Sequence, residues 1–136
     1  MWSLGGRIAT SDLVLIVDDD YHFREALSDL IRDDGFDVVS ADNGRHALDL
    51  LGAGLRPLAI FLDLMMPVMD GASFRAEQLK SPAIAAIPVA VLSASGTSRR
   101  QLPDAFGDVE VISKPMTGTE ILAFLNRCRS ARPASG

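Results

Sequence analysis

The chain has 136 residues, 48% hydrophobic and 23% charged, with thirteen basic side chains against eighteen acidic ones and a net charge of −5. That is the size of one ordinary domain with an adequate core, and an acidic balance without a basic cluster argues against direct nucleic-acid binding. A single cysteine, Cys128, excludes an internal disulfide and fits a reducing cytosol, and no stretch approaches the ~20 apolar residues that span a bilayer.

Residues 1–11 are rich in Gly and Ser and are expected to form a flexible leader. Residues 12–130 read as the folded domain, and 131–136 as a flexible tail. Leu13 to Val17 is a continuous apolar run rich in branched residues, so both faces of that strand should be buried, as in a parallel sheet. Phe23, Ala26, Leu27, Leu30 and Ile31 form the stripe of an amphipathic helix, with Asp20 placed to cap its start and Gly35 to end it. Val38 to Ala41 reads as a second strand, and His46 to Leu51 as a helix. Leu58 to Leu62 is a third apolar strand. Phe74, Gln78 and Leu79 fall in a third helix that ends near Pro82. Val89–Leu92 and Val109–Ile112 are the fourth and fifth strands.

Between these last two strands, Arg99 to Phe106 is too short for a good helix and contains Pro103, which removes a backbone donor and clashes with the preceding turn. A short or irregular fourth helix is expected there. Thr117 and Glu120 have capping-box spacing and open a last helix that runs to about Arg129. Cys128 shares that helix's apolar face with Ile121, Phe124 and Leu125 and reads as core filling. Strict strand–helix alternation with fully apolar strands predicts an α/β fold with a parallel sheet covered on both faces.

The polar residues at the carboxyl ends of the strands are the informative ones, because open α/β sheets bind ligands there. Strand one ends in Asp18-Asp19-Asp20, strand three in Asp63, strand four in Ser93 and strand five in Ser113-Lys114. Each alone has an ordinary explanation as a helix cap, a turn former or a solvated loop residue. Together they bring carboxylates, an ammonium and a hydroxyl to one crevice. Clustered carboxylates raise one another's pKa or recruit a cation. A set of hard oxygen ligands without His or Cys suits Mg²⁺. Lys114 adds a compact positive charge for a phosphate oxygen or for Asp63 itself, and Ser93 adds a donor. This is equipment for phosphoryl transfer, in which positioning and electrostatics carry most of the catalysis. Asp63, alone at the end of the central strand, is the candidate nucleophile.

The motifs VLIVDDD, IFLDLMMPVMDG, VLSAS and ISKP, in this order and at these strand ends, resemble the receiver domains of two-component response regulators. The resemblance covers Leu13 to Arg129. It implies a three-layer flavodoxin-like (βα)5 fold, with a five-stranded parallel sheet in the order 2-1-3-4-5. It implies that Asp63 is the phosphoacceptor and that Asp18 and Asp19 hold Mg²⁺ together with Asp63 and the backbone carbonyl of Met65. Asp19 is the more direct ligand of the pair, and Asp18 acts partly through water. Ser93 matches the switch hydroxyl, Ala94 the neighbour whose backbone N–H approaches the phosphoryl group, and Lys114 the lysine that pairs with it. Lys114-Pro115 matches a peptide bond that is cis in the family; Met66-Pro67 and Gly71 match the loop after the acceptor.

The implied partners are a histidine kinase or histidine phosphotransfer protein and an output partner of unknown identity. No direct nucleic-acid or membrane contact is expected, and the chain is expected to be cytoplasmic and a monomer or weak dimer. It would catalyse only its own phosphorylation and dephosphorylation. Two departures stand out: Val111 occupies the position of an aromatic residue, and Pro103 breaks the fourth helix. Both fall on the face that the family uses for dimerisation or output. They leave room for an alternative, a pseudo-receiver that docks a partner without phosphorylation. A haloacid-dehalogenase-type phosphatase would need a second Asp two residues after the nucleophile, where this chain has Met65.

Overall fold

A computed structural model describes residues 12–93, 99–114 and 116–131. The elements run β1 (Leu13–Val17), α1 (Tyr21–Asp33), β2 (Asp37–Ala41), α2 (Gly44–Gly52), β3 (Ala59–Asp63), α3 (Gly71–Lys80), β4 (Val89–Ser93), β5 (Glu110–Ser113) and α4 (Gly118–Ala131). The five strands pair in parallel in the order β2-β1-β3-β4-β5, the flavodoxin-like arrangement that the sequence implied. The leader, Ala94, Pro115 and residues 132–136 lie outside the described residues.

The continuous apolar runs of the strands are explained by what lies on either side of the sheet. Val14, Ile16, Phe61 and Leu92 face a layer built with Leu27 and Ile31 of α1 and Ile121, Phe124 and Leu125 of α4. The alternate residues Leu15, Val17, Ile60, Leu62 and Val91 face a second layer with Ala47, Leu51 and Phe74. Side chains alternate along a strand, so covering both faces makes every position apolar. Cys128 is buried in the first layer, where burial pushes its thiol up to about 11, and the Phe61 and Phe124 rings meet edge to face at 5.4 Å.

Helix starts follow from local capping. Asp20 accepts the Phe23 amide and Asp70 the Ser73 amide. Thr117 and Glu120 exchange the reciprocal bonds of a capping box, at 3.0 and 3.2 Å. At α2 the helix begins two residues before the His46 expected from the apolar pattern, because Asn43 accepts the His46 amide and sets the start. Gly35, at φ +97, ends α1. In place of a regular helix between β4 and β5 stand two 3-10 turns, Arg99–Gln101 and Asp104–Phe106. Pro103 sits at the start of the second turn, where its missing N–H costs nothing and its carbonyl accepts the Phe106 amide. Leu102 and Phe106 are buried against the second layer.

Candidate functional site

At the carboxyl end of β1, Asp18 continues the ladder through its amide to the Ala41 carbonyl and is fully buried. A buried carboxylate needs partners. One oxygen accepts the Asp20 amide at 2.9 Å and the other the Lys114 ammonium at 3.2 Å. Its own carbonyl accepts from Arg24. Asp19 is exposed. Asp63 closes β3, with a side chain 14% exposed, and Lys114 Nζ stands 3.7 Å from it. One carboxylate oxygen each from Asp18, Asp19 and Asp63 lies within 4.8 Å of the others.

Burial raises the Asp63 carboxyl from 3.8 to about 6, helped by the like charge of Asp18 and opposed by Lys114. The lysine is held in place by its surroundings. Its amide donates to the Ser93 carbonyl at 2.7 Å, which extends the β4–β5 ladder by one bond, and its ammonium lies 4.2 Å above the Phe23 ring. Ser93 is buried, and its hydroxyl has no hydrogen-bond partner among the described residues.

The loop after β3 is fixed from both sides. The Gly71 amide donates to the Leu64 carbonyl, and the Gly44 amide to the Met69 carbonyl, both at 2.9 Å. Both glycines are required by contact. A methyl group on Gly71 would stand 2.5 Å from the Asp63 carbonyl oxygen, and one on Gly44 would stand 2.9 Å from that of Met69. Within the loop, the Met69 amide donates to the Pro67 carbonyl at 2.7 Å around Val68, which is held at φ +69. A three-residue turn of this hand is strained, more so with a β-branched residue at its centre. The side chains of Met65 and Val68 are both exposed.

The structure thus brings Asp18, Asp19, Asp63 and Lys114 together and sets Ser93 at the adjoining strand end. Lys114 bonds to Asp18 more closely than to Asp63, an arrangement the strand-end pattern alone did not specify. Phe23 and Arg24 also contribute to the site. Phe23 was legible only as part of an amphipathic stripe and Arg24 was not singled out, because their partners lie across the fold or on the backbone.

A model of the response regulator receiver domain matches residues 14–126. The chain belongs to this family. The receiver is 34% identical over 125 residues to a transcriptional regulatory protein, the CpxR homolog of Haemophilus influenzae, covering 90% of this chain and 53% of that protein. It is 38% identical over 112 residues to response regulator MprA of Mycolicibacterium vanbaalenii, covering 81% of this chain and 47% of the relative. The chain therefore spans about half the length of these relatives. Among solved structures, the receiver resembles the signal receiver domain of a histidine kinase from Syntrophus aciditrophicus, with a TM-score of 0.81 at 26% identity, covering 92% and 95% of the two chains. It also resembles the chemotaxis protein CheY4 of Vibrio cholerae, with a TM-score of 0.76 at 30% identity, covering 85% and 97%.

Receiver domains bind Mg²⁺ at an acidic pocket, and the residues present here fit such an ion: the converging donors are carboxylate oxygens, with no His or Cys among them. Among the described residues, no helix is long and apolar enough to cross a membrane.

Proposed function

We propose that this receiver takes a phosphoryl group onto Asp63 from a phosphohistidine of a histidine kinase or histidine phosphotransfer protein, and that this switches the binding of a partner. The observation that carries the reading is the convergence of three carboxylates at the carboxyl ends of β1 and β3, with the Lys114 ammonium from the end of β5 against two of them, Asp18 and Asp63. A carboxylate oxygen of Asp63 attacks phosphorus in line. The new O–P bond forms as the P–N bond to the donor imidazole breaks, and the imidazole leaves with that electron pair. Asp18, Asp19, Asp63 and the backbone carbonyl of Met65 would hold Mg²⁺, which when bound neutralises charge on the phosphoryl oxygens. Lys114 supplies the second positive charge. The Ser93 hydroxyl and the Ala94 backbone N–H donate to the product. Occupation of the site then biases the loops after β3 and β4 between two states. The protein acts in the cytoplasm in this reading, as a monomer or weak dimer.

Intact mass tests it. With Mg²⁺ and acetyl phosphate the chain should gain one phosphoryl group, and Asp63→Asn should abolish the gain. A gain that persists in the variant would defeat the assignment. Failure with every donor would favour the second reading, a docking module that works without phosphorylation. Val111 and the 3-10 turns in place of a helix are the features that favour it.

A further inference from the structure

Helix α3 carries two polar residues on its buried side. Gln78 is fully buried and Arg75 nearly so. Gln78 donates to the carbonyls of Ile84 and Ile87 at 3.0 and 3.1 Å. Arg75 donates through Nε to the Phe106 carbonyl and through Nη1 to Gln78 Oε1, both at 2.8 Å, and reaches the Asp108 carbonyl at 3.5 Å. One connected network therefore ties α3 to the approach to β4 and to the approach to β5.

A helix satisfies most of its own carbonyls, whereas short turns leave theirs in need of donors. Arg75 supplies such donors at the end of the second 3-10 turn and just after it, since a guanidinium presents several N–H groups in a rigid fork. The anchoring carbonyls of Phe106 and Asp108 lie four and two residues before β5, and Lys114 follows directly after β5. The strand is thus tethered at one end to the phosphoacceptor site and at the other to α3.

We propose that Arg75 is a positioning residue that locks residues 104–109 to α3, so that a change of state at Asp63 is not reported along this edge of the sheet. The second clause rests on the phosphoacceptor reading; the first does not.

Hydrogen exchange by mass spectrometry on the full chain tests both. Arg75→Met keeps the length of the side chain and removes the donors. Without a phosphodonor it should speed exchange in residues 104–109 by about tenfold, with β1 and β3 changed less than about twofold, and Arg75→Lys should fall between. The amides of Phe106 and Gly107, bonded to Pro103 and Asp104, are the reporters. Adding Mg²⁺ and acetyl phosphate should leave 104–109 of the wild type within about twofold of its resting exchange, while in Arg75→Met the segment should respond. An equal rise everywhere in Arg75→Met, or no rise, would overturn the lock. A wild-type segment that responds to phosphorylation as strongly as Lys114 would overturn the consequence for signalling. Intact mass on the same samples shows separately whether Asp63 was phosphorylated, and the arm without donor decides the lock in either case.

Discussion

The ammonium of Lys114 is bonded to Asp18 at 3.2 Å and stands further from Asp63, at 3.7 Å. The lysine therefore has a structural task of its own, because Asp18 is fully buried and Lys114 is the cation that meets it. Replacing the lysine would strand that charge. Lys114→Met is expected to lower stability by about 2 kcal/mol, below the range for a fully buried pair because the lysine is partly exposed. Adding Asp18→Asn should recover much of the loss. Urea denaturation of the two variants checks this; equal stability of the single and double variants would show that the pair is not coupled.

Asp63 itself makes the fold sensitive to pH. Between 3.8 and about 6 the folded Asp63 holds a proton that the unfolded chain has released. Stability contributed by this group therefore falls as pH rises through that window. In metal-free buffer at neutral pH the ionised carboxylate costs on the order of 2 kcal/mol. Asp63→Asn should be the more stable protein at pH 7.5 in a chelator and about equal to wild type at pH 4. Thermal melts across the range decide, and a variant less stable than wild type at pH 7.5 would contradict the pKa.

Val68 sits at φ +69 with its side chain exposed. At 81% exposure, its methyl groups have little burial with which to offset that backbone strain. Val68→Gly should raise stability by roughly 1 kcal/mol, the relief of strain less the extra entropy of glycine in the unfolded chain. A chemical denaturation midpoint that moves down instead would show that the valine is held by contacts of real strength.

Gly71 presses against the backbone of Asp63, the proposed acceptor. A methyl group there must displace the Asp63 carbonyl, which it would meet at 2.5 Å. Gly71→Ala is expected to cost about 2 kcal/mol and to slow mass gain from acetyl phosphate, because the acceptor moves with its carbonyl. Gly52→Ala is the control, since a methyl group there meets nothing within 4 Å. It should leave uptake unchanged.

The strands were legible because burial on both faces writes itself as unbroken apolar runs, as in Leu13 to Val17. The acidic residues and Lys114 were legible as a group because parallel strands deliver all their carboxyl ends to one side. Arg75 and Gln78 were not legible in this way. A polar residue on a helix ordinarily reads as solvated. These two are buried because they meet carbonyls 31 and 6 residues away in the chain, at Phe106 and Ile84. The irregular stretch around Pro103 was readable, but the side chains that hold it were not.

Ser93 holds its hydroxyl at the carboxyl end of β4, buried and without a hydrogen-bond partner among the described residues. A buried donor gains more than an exposed one from an acceptor brought within its reach. If Asp63 is the acceptor, as proposed, a phosphoryl oxygen at the crevice would meet a group that the strand end already holds in place.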